Sequence, residues 1–283
     1  MDELQRDPTL PDWMKAVHSE VDEQWGALVG HSAAMDTLMS QIEQALIELV
    51  PRGWAVFNMP SETVNSAVAL SRAGRGSDAD DLLAPAWRAG TYRTKRVCDR
   101  VWSMGGADAD YHADFVGRTR LLRLAREHHN RGDYAASILI VHSQIEGIAT
   151  DVTANKKFFS ARKSTQANVV NPRQLVSIKA SLAALRSPYI VGVERTQSDG
   201  SISRHGAAHG RELAYDTETV SAKSWSLLDA VVEWAMPLAR AEAERRLVKR
   251  QAEMAGADAV DEHGRRLDDR EFRETRDRDA GVR

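Results

Sequence analysis

The chain has 283 residues, of which 42% are hydrophobic and 28% charged, a balance typical of globular proteins with one large or two small domains. The formal net charge of −3 excludes a general electrostatic attraction to nucleic acid or anionic lipid, so RNA binding would require a local basic patch. A single cysteine, Cys98, excludes an internal disulfide and a thiolate metal cluster. The sequence has neither a signal-peptide pattern nor an apolar run of membrane-spanning length, so we expect a cytoplasmic protein without membrane contact.

The first hundred residues contain helical patterns separated by short breaks. Apolar residues recur at helical spacing from Met35 to Val50, which predicts a helix that ends at Pro51. The stretch Trp54–Met59 is compatible with either a strand or a buried loop. Ser61 is the predicted N-cap of a second helix, and the glycine-containing stretch Ser71–Ala79 is the predicted linker after it.

Two strong helices follow, joined by a tight turn. Asp110 to His129 has the apolar spacing of a helix, and His128 and His129 stand at its end, where the helix dipole favours a charged imidazolium. Asn130–Asp133 has the composition of a helix–helix turn. Tyr134 to Thr150 is strongly apolar, which is typical of a central helix in a bundle.

Two further helices are predicted in the rest of the chain. Asn171–Pro172 is a start signal for a helix that ends before Pro188, and the polar stretch Val191–Ser203 is a predicted loop. The last strong helix spans about Thr219 to Ala239. Four helices with moderate connections indicate an all-α protein in which residues 108–240 form an antiparallel four-helix bundle.

These elements divide the chain into three parts. Residues 1–105 are expected to be a helical N-terminal region of unknown role, and residues 108–240 the bundle. Residues 241–283 are a charged tail in which a helix extends to about Glu253 and disorder follows, because too few apolar residues remain to build a core.

The segment richest in reactive side chains is SRHGAAHGR, Ser203–Arg211, which combines histidines and arginines with small residues. An arginine guanidinium binds phosphate, and an imidazole exchanges a proton near neutral pH. Arg204 and His209 together suit RNA cleavage without a metal, because the imidazole acts on the ribose 2′-hydroxyl or the leaving oxygen while the guanidinium stabilises the charged phosphate. The alternative is that these side chains cap helices and hold the loop by hydrogen bonds.

The spacing Arg204-x4-His209, just before the last helix of a four-helix unit, resembles the Arg-x4–6-His signature of the HEPN superfamily. Two longer stretches also look like sequences of HEPN-like bacterial proteins, one on the core helix and one around the signature. They are ILIVHSQIEG at 138–147, followed by Asp151, and SRHGAAHGRELAYDT at 203–217, followed by Ser221 and Lys223. The resemblance covers about residues 108–240.

This resemblance implies a function and a set of site residues. Many HEPN proteins are metal-independent ribonucleases of toxin–antitoxin, phage-defence and RNA-processing systems, usually with a site formed where two copies meet. Carried over, Arg204 and His209 are the catalytic pair, with His205 and Arg211 beside them as supporting residues. The implied protein is a cytoplasmic homodimer that cleaves RNA without a cofactor, alone or under an antitoxin or regulatory protein.

Other members of the superfamily are inactive, and this leaves a second reading open. In it, the chain is a non-catalytic helical module whose Arg/His segment binds RNA, a nucleotide or a protein partner, and whose charged tail is the recruitment arm. Substitution of His209 distinguishes the two readings, because it abolishes cleavage in the first and leaves binding intact in the second.

Glu146 and the His205/His209 pair each allow more than one role. Glu146 is a carboxylate on an otherwise apolar helix, so it either pairs with Arg204 or a histidine of the segment, or forms a structural salt bridge or solvent-facing edge. His205 and His209 have the spacing of a zinc-binding HExxH pair. Gly206 occupies the place of the required glutamate, so we expect no metal site.

Overall fold

The computed structural model describes residues 40–41, 44–45, 47–56, 58–153, 200 and 204–257, and every regular element in these ranges is helical. The all-α expectation is therefore confirmed for this part of the chain. The predicted helix after Asn171–Pro172 lies outside the described residues, as do nearly all of the predicted loop Val191–Ser203 and the tail after Ala257. Within the described ranges, no helix combines the length and apolar character that crossing a bilayer requires.

The N-terminal part begins with described residues between 40 and 49 that are helical, as the spacing predicts. The next stretch contains no strand in its described residues, and Trp54 is completely buried in it. Helix α1 spans Ser61–Arg72, with Pro60 rather than Ser61 at the N-cap position. The predicted N-cap is thus wrong by one residue, because Ser61 already belongs to the helix.

Short elements connect α1 to the bundle helices. Helix α2 spans Gly76–Leu83, so the predicted linker shrinks to residues 73–75. A 3₁₀ helix, Ala84–Trp87, follows directly, and helix α3 spans Tyr92–Trp102. These elements turn the chain back on itself so that α2, the 3₁₀ helix and α3 pack against one another or against the last helix.

The long helices lie close to where the sequence places them. Helix α4 spans Ala109–Arg131. Asp108 is its N-cap residue, and the Asp108 carboxylate accepts a hydrogen bond from the Tyr111 N–H at 2.8 Å. Helix α5 spans Tyr134–Thr153. A five-residue helix α6, Arg204–Ala208, precedes helix α7, Glu218–Ala257, which continues through Pro237 and past Ala239 and ends shortly after the predicted limit of its extension at about Glu253.

Contacts at both ends fix the direction of the long helices. Ser221 near the start of α7 bonds to His129 near the end of α4, whereas Arg250 near the end of α7 bonds to Asp108 at the start of α4. Helix α7 is therefore antiparallel to α4. Helix α5 is also antiparallel to α4, since the two are joined by the tight turn at Gly132. Helices α5 and α7 consequently run in the same direction, side by side.

The buried apolar residues form one continuous cluster that includes both the N-terminal elements and the long helices. Its largest members come from the N-terminal elements and from α7: the completely buried indoles of Trp54, Trp87, Trp225 and Trp234. Helix α7 packs against α5 on one side and against the 3₁₀ helix and α3 on another. This explains why the first half of α7 is buried on nearly all its faces, although its sequence is not uniformly apolar.

His129 lies inside this core rather than at a solvated helix end. Its Nε2 donates to the Trp87 carbonyl at 2.6 Å, and its Nδ1 lies 2.8 Å from the Ser221 hydroxyl, which therefore donates to it. Burial lowers the pKa of His129, while the Trp87 carbonyl and the charge of Glu218 oppose that shift. The expected imidazolium is thus wrong for His129, and the neutral ring instead joins α4, the 3₁₀ helix and α7.

Candidate functional site

The Arg/His segment forms a short helix closed by a glycine, where the sequence indicates only a loop. The N–H groups of Gly210 and Arg211 donate to the carbonyls of Ala207 and Gly206, at 3.2 and 2.8 Å. This pair of bonds is a Schellman motif, and it requires the positive φ of +66° that Gly210 adopts. His209 therefore occupies the C-cap position of α6, on a backbone fixed by hydrogen bonds on both sides.

The segment has an inner and an outer side. Gly206 and Ala207 are buried where α6 packs on α5, and these small residues allow the two helices to approach closely. His209 and Arg211 are exposed. The packing therefore presents one imidazole and one guanidinium of the predicted site to solvent.

Two further predicted residues fall at the limit of the described structure. The backbone of Arg204 and His205 belongs to α6, but their side chains lie outside the described part of the structure. The convergence of Arg204 with His209 therefore stays a prediction. Glu146 is half-buried on α5, the helix that α6 packs against, and its pairing with Arg204 likewise stays a prediction.

Glu212, which sequence reasoning does not single out, is the most unusual residue of the segment. It is 0% exposed, and neither carboxylate oxygen has a hydrogen-bond partner among the residues that the structure describes. Its backbone N–H donates to the Gly206 carbonyl at 3.1 Å, so the capped turn itself draws Glu212 inward. Burial of an unpartnered carboxylate is unfavourable, and no local pattern distinguishes Glu212 from a solvent-facing acid.

His142, a histidine of α5, is also absent from the sequence-based candidates. His142 lies on α5, 2% exposed, and its Nε2 is 3.1 Å from the Ser224 hydroxyl of α7. That hydroxyl donates to the Val220 carbonyl at 2.8 Å, so the imidazole N–H must donate to Ser224. His142 thus fixes α5 against α7, and its burial indicates a structural rather than a catalytic role.

Asp151, which follows the core-helix stretch of the resemblance, is engaged elsewhere. Arg118 of α4 donates to its carboxylate through Nε at 2.9 Å and Nη2 at 2.5 Å, and to Gln144 at 3.0 Å. A Cβ on Gly147 would lie 2.1 Å from the Arg118 guanidinium, so glycine is needed there for this approach. Asp151 therefore joins α4 to α5.

The described residues contain no group of three or more His, Cys, Asp or Glu side chains that could hold a metal ion. The side chain of His205, one half of the HExxH-like pair, lies outside the described residues. The absence of a metal site at that pair therefore stays a prediction. No protein-family model, curated protein or solved structure matches the chain. The candidate site therefore depends on its own residues and geometry.

Proposed function

We propose that this protein is a metal-independent endoribonuclease of the HEPN type, with Arg204 and His209 as its catalytic pair. The observation that carries this proposal is the Gly210-capped turn, which is docked on α5 and exposes His209 and Arg211. A solvent-facing imidazole on a fixed backbone is suited to proton transfer with a bound RNA. A structural histidine is instead buried, as His129 is.

The arrangement of the long helices supports the same proposal. Helix α5 packs against both α4 and α7, and α6 lies just before α7 in the chain, an arrangement compatible with three members of the predicted four-helix bundle. Helix α5 carries the stretch that resembles the HEPN core helix, and α6 packs directly on it. The helix predicted after Asn171–Pro172, which would be the fourth member of the bundle, lies outside the described residues.

The proposed reaction is an internal transfer within RNA. An imidazole takes the proton of the ribose 2′-hydroxyl, whose oxygen attacks the adjacent phosphorus. The bond from phosphorus to the 5′ oxygen breaks, and that oxygen receives a proton from an imidazolium, leaving a 2′,3′-cyclic phosphate and a 5′-hydroxyl. A homodimer brings two copies of His209 to one cleft, so that one acts as base and the other as acid, while Arg204 and Arg211 stabilise the phosphate charge.

The test is RNA cleavage by the purified full chain in excess chelator. Wild type is compared with His209→Ala and Arg204→Ala on total RNA and on end-labelled oligonucleotides, and light scattering measures the oligomeric state. We expect cleavage by the wild type with cyclic-phosphate ends, and a loss of roughly 10²-fold or more in each variant, the usual contribution of a general acid–base group. RNA binding should survive in His209→Ala.

A matched control comes from another partly exposed histidine. His128, in the last turn of α4, lies 3.3 Å from Asp133 and belongs to no part of the segment, so His128→Ala should cleave like the wild type. Equal cleavage by His209→Ala would identify a contaminant or a different site. Absence of cleavage with retained RNA binding would favour the non-catalytic module, in which the exposed Arg211 and His209 serve as binding groups.

A further inference from the structure

Asp80, on α2, is the centre of a buried charge cluster far from the Arg/His segment in sequence. Its carboxylate accepts two hydrogen bonds from the Arg52 guanidinium, at 3.1 and 2.7 Å, and one from the Trp54 indole at 2.8 Å. The Lys223 ammonium donates to it at 3.1 Å. We call these four residues the Asp80 cluster. The N-terminal region contributes three of its members, and helix α7 contributes the fourth.

Lys223 also connects the cluster to the chain that leads into α6. Its side chain is 1% exposed, its ammonium lies 5.6 Å from the centre of the Trp54 ring, and it donates to the backbone carbonyl of Gly200. A Cβ added to Gly200 would lie 3.9 Å from that ammonium and 4.0 Å from the Asp80 carboxylate. The backbone at Gly200 therefore packs directly on the cluster.

The segment needs such an anchor because α6 is short. Isolated helices of this length are unstable in water, so tertiary contacts must hold α6 in place. Helix α5 provides the inner contact, and the Schellman motif at Gly210 closes one end. The bond from Lys223 to the Gly200 carbonyl fixes the chain on the other side, four residues before Arg204.

We propose that Asp80 and Lys223 are positioning residues for the Arg/His segment and the capped turn that closes it. The N-terminal region is thereby part of the functional site. Asp80 orients and neutralises the Lys223 ammonium, and that ammonium holds the Gly200 carbonyl. The structural part of this inference stands independently. Its consequence for cleavage rests on the proposed ribonuclease function.

Asp229 supplies a matched control. It is 0% exposed on α7 and accepts hydrogen bonds from Arg96 at 2.8 Å and Arg100 at 3.3 Å. This is also a buried carboxylate bonded to cationic side chains, but its bonds join α7 to α3 rather than to the chain before α6. Asp229→Asn therefore reproduces the loss of a buried ion pair without touching the anchor at Gly200.

The experiment measures backbone hydrogen exchange in the full chain by mass spectrometry, for wild type, Asp80→Asn, Lys223→Met and Asp229→Asn. The reporters are the amides of Gly210, Arg211 and Glu212, all hydrogen-bonded within the segment. We expect these amides to exchange roughly tenfold faster or more in Asp80→Asn and Lys223→Met, the scale of one lost buried hydrogen bond. Asp229→Asn should leave them unchanged, and Asp80→Glu should restore part of the protection.

The same variants are assayed for RNA cleavage, where kcat should fall while KM stays close to wild type, because a loosened segment misplaces its groups without removing them. Unchanged exchange in Lys223→Met, or equal acceleration in Asp229→Asn, would overturn the inference. Lys223→Met decides the matter if Asp80→Asn does not fold. A wild type that cleaves no RNA would refute the proposed function alone, since the exchange measurement still reports on the anchor.

Discussion

Burial sets the protonation state of individual side chains in this protein. His129 is 1% exposed, and its neutral ring accepts a hydrogen bond from the Ser221 hydroxyl and donates one to the Trp87 carbonyl. Protonation would place a charge in the core and a second N–H against a hydroxyl that donates to it. The pKa of His129 is accordingly lowered from its ordinary value of 6.5, chiefly by burial.

This lowered pKa predicts how stability depends on pH. Below about pH 6.5 the unfolded chain binds a proton at His129 that the folded chain does not, so the free energy of unfolding falls as the pH falls. The expected slope from this residue is at most about 1.4 kcal/mol per pH unit. Urea unfolding of wild type and His129→Gln between about pH 7 and about pH 5 measures it. If the free energy of unfolding of His129→Gln falls equally steeply with pH, groups other than His129 cause the loss of stability.

At the scale of elements, three described helices, α1, α4 and α6, end in the same way, and only α6 belongs to the candidate site. Gly132 after α4 and Gly210 after α6 both close a Schellman motif, with φ of +83° and +66°. A Cβ at either position would meet no atom within 4 Å. Substitution by alanine therefore imposes the cost of a left-handed backbone without a steric clash.

This equivalence gives a paired prediction. Gly132→Ala and Gly210→Ala should each cost about 1 kcal/mol in the free energy of the structure they close. Under the proposed ribonuclease function, only Gly210→Ala should lower RNA cleavage by the folded protein, because it loosens the backbone that holds His209. Chemical denaturation gives the stability of each variant and steady-state kinetics gives kcat. Normal cleavage by Gly210→Ala would show that the capped turn is not required for activity.

The sequence predicts the long helices well because their signals are local. Periodic apolar residues define α4 and α5, and the turn between them contains the glycine that a Schellman motif needs. Helix α6 escapes prediction because five residues are too few for a periodic pattern. The environments of His129 and Glu212 cannot be predicted from local sequence for another reason. His129 is buried by elements distant in the sequence, and Glu212 is buried by the turn that draws it inward.

At the scale of the whole molecule, the core runs without a break from the N-terminal elements into the long helices. The 3₁₀ helix and α3 cover faces of α7 that would otherwise contact water, and Trp87 is completely buried in this contact. The sequence predicts a domain boundary near residue 105. That boundary is compatible with this arrangement only if the residues after it stay folded when the faces of α7 that the 3₁₀ helix and α3 cover are exposed to water. We expect that they do not, because exposed apolar surface is unfavourable.

A fragment of residues 108–257 tests this expectation. It should remain partly helical by circular dichroism but lack the cooperative thermal transition of the full chain, because α7 has lost the packing of the 3₁₀ helix and α3. Both proteins are compared at the same concentration. A sharp transition in the fragment would establish residues 108–257 as a unit that folds independently and the N-terminal region as an addition to it.

The Asp80 cluster also limits the order in which this chain can change over generations. Loss of Lys223 to an apolar residue leaves Asp80 still bonded to Arg52 and Trp54. Loss of Asp80 first leaves two buried or half-buried cations facing each other, a change of the kind that costs about 3–5 kcal/mol. Descendants that have lost the anchor should therefore show apolar residues at position 223 beside an aspartate at 80, whereas a lysine at 223 beside an apolar residue at 80 should be rare.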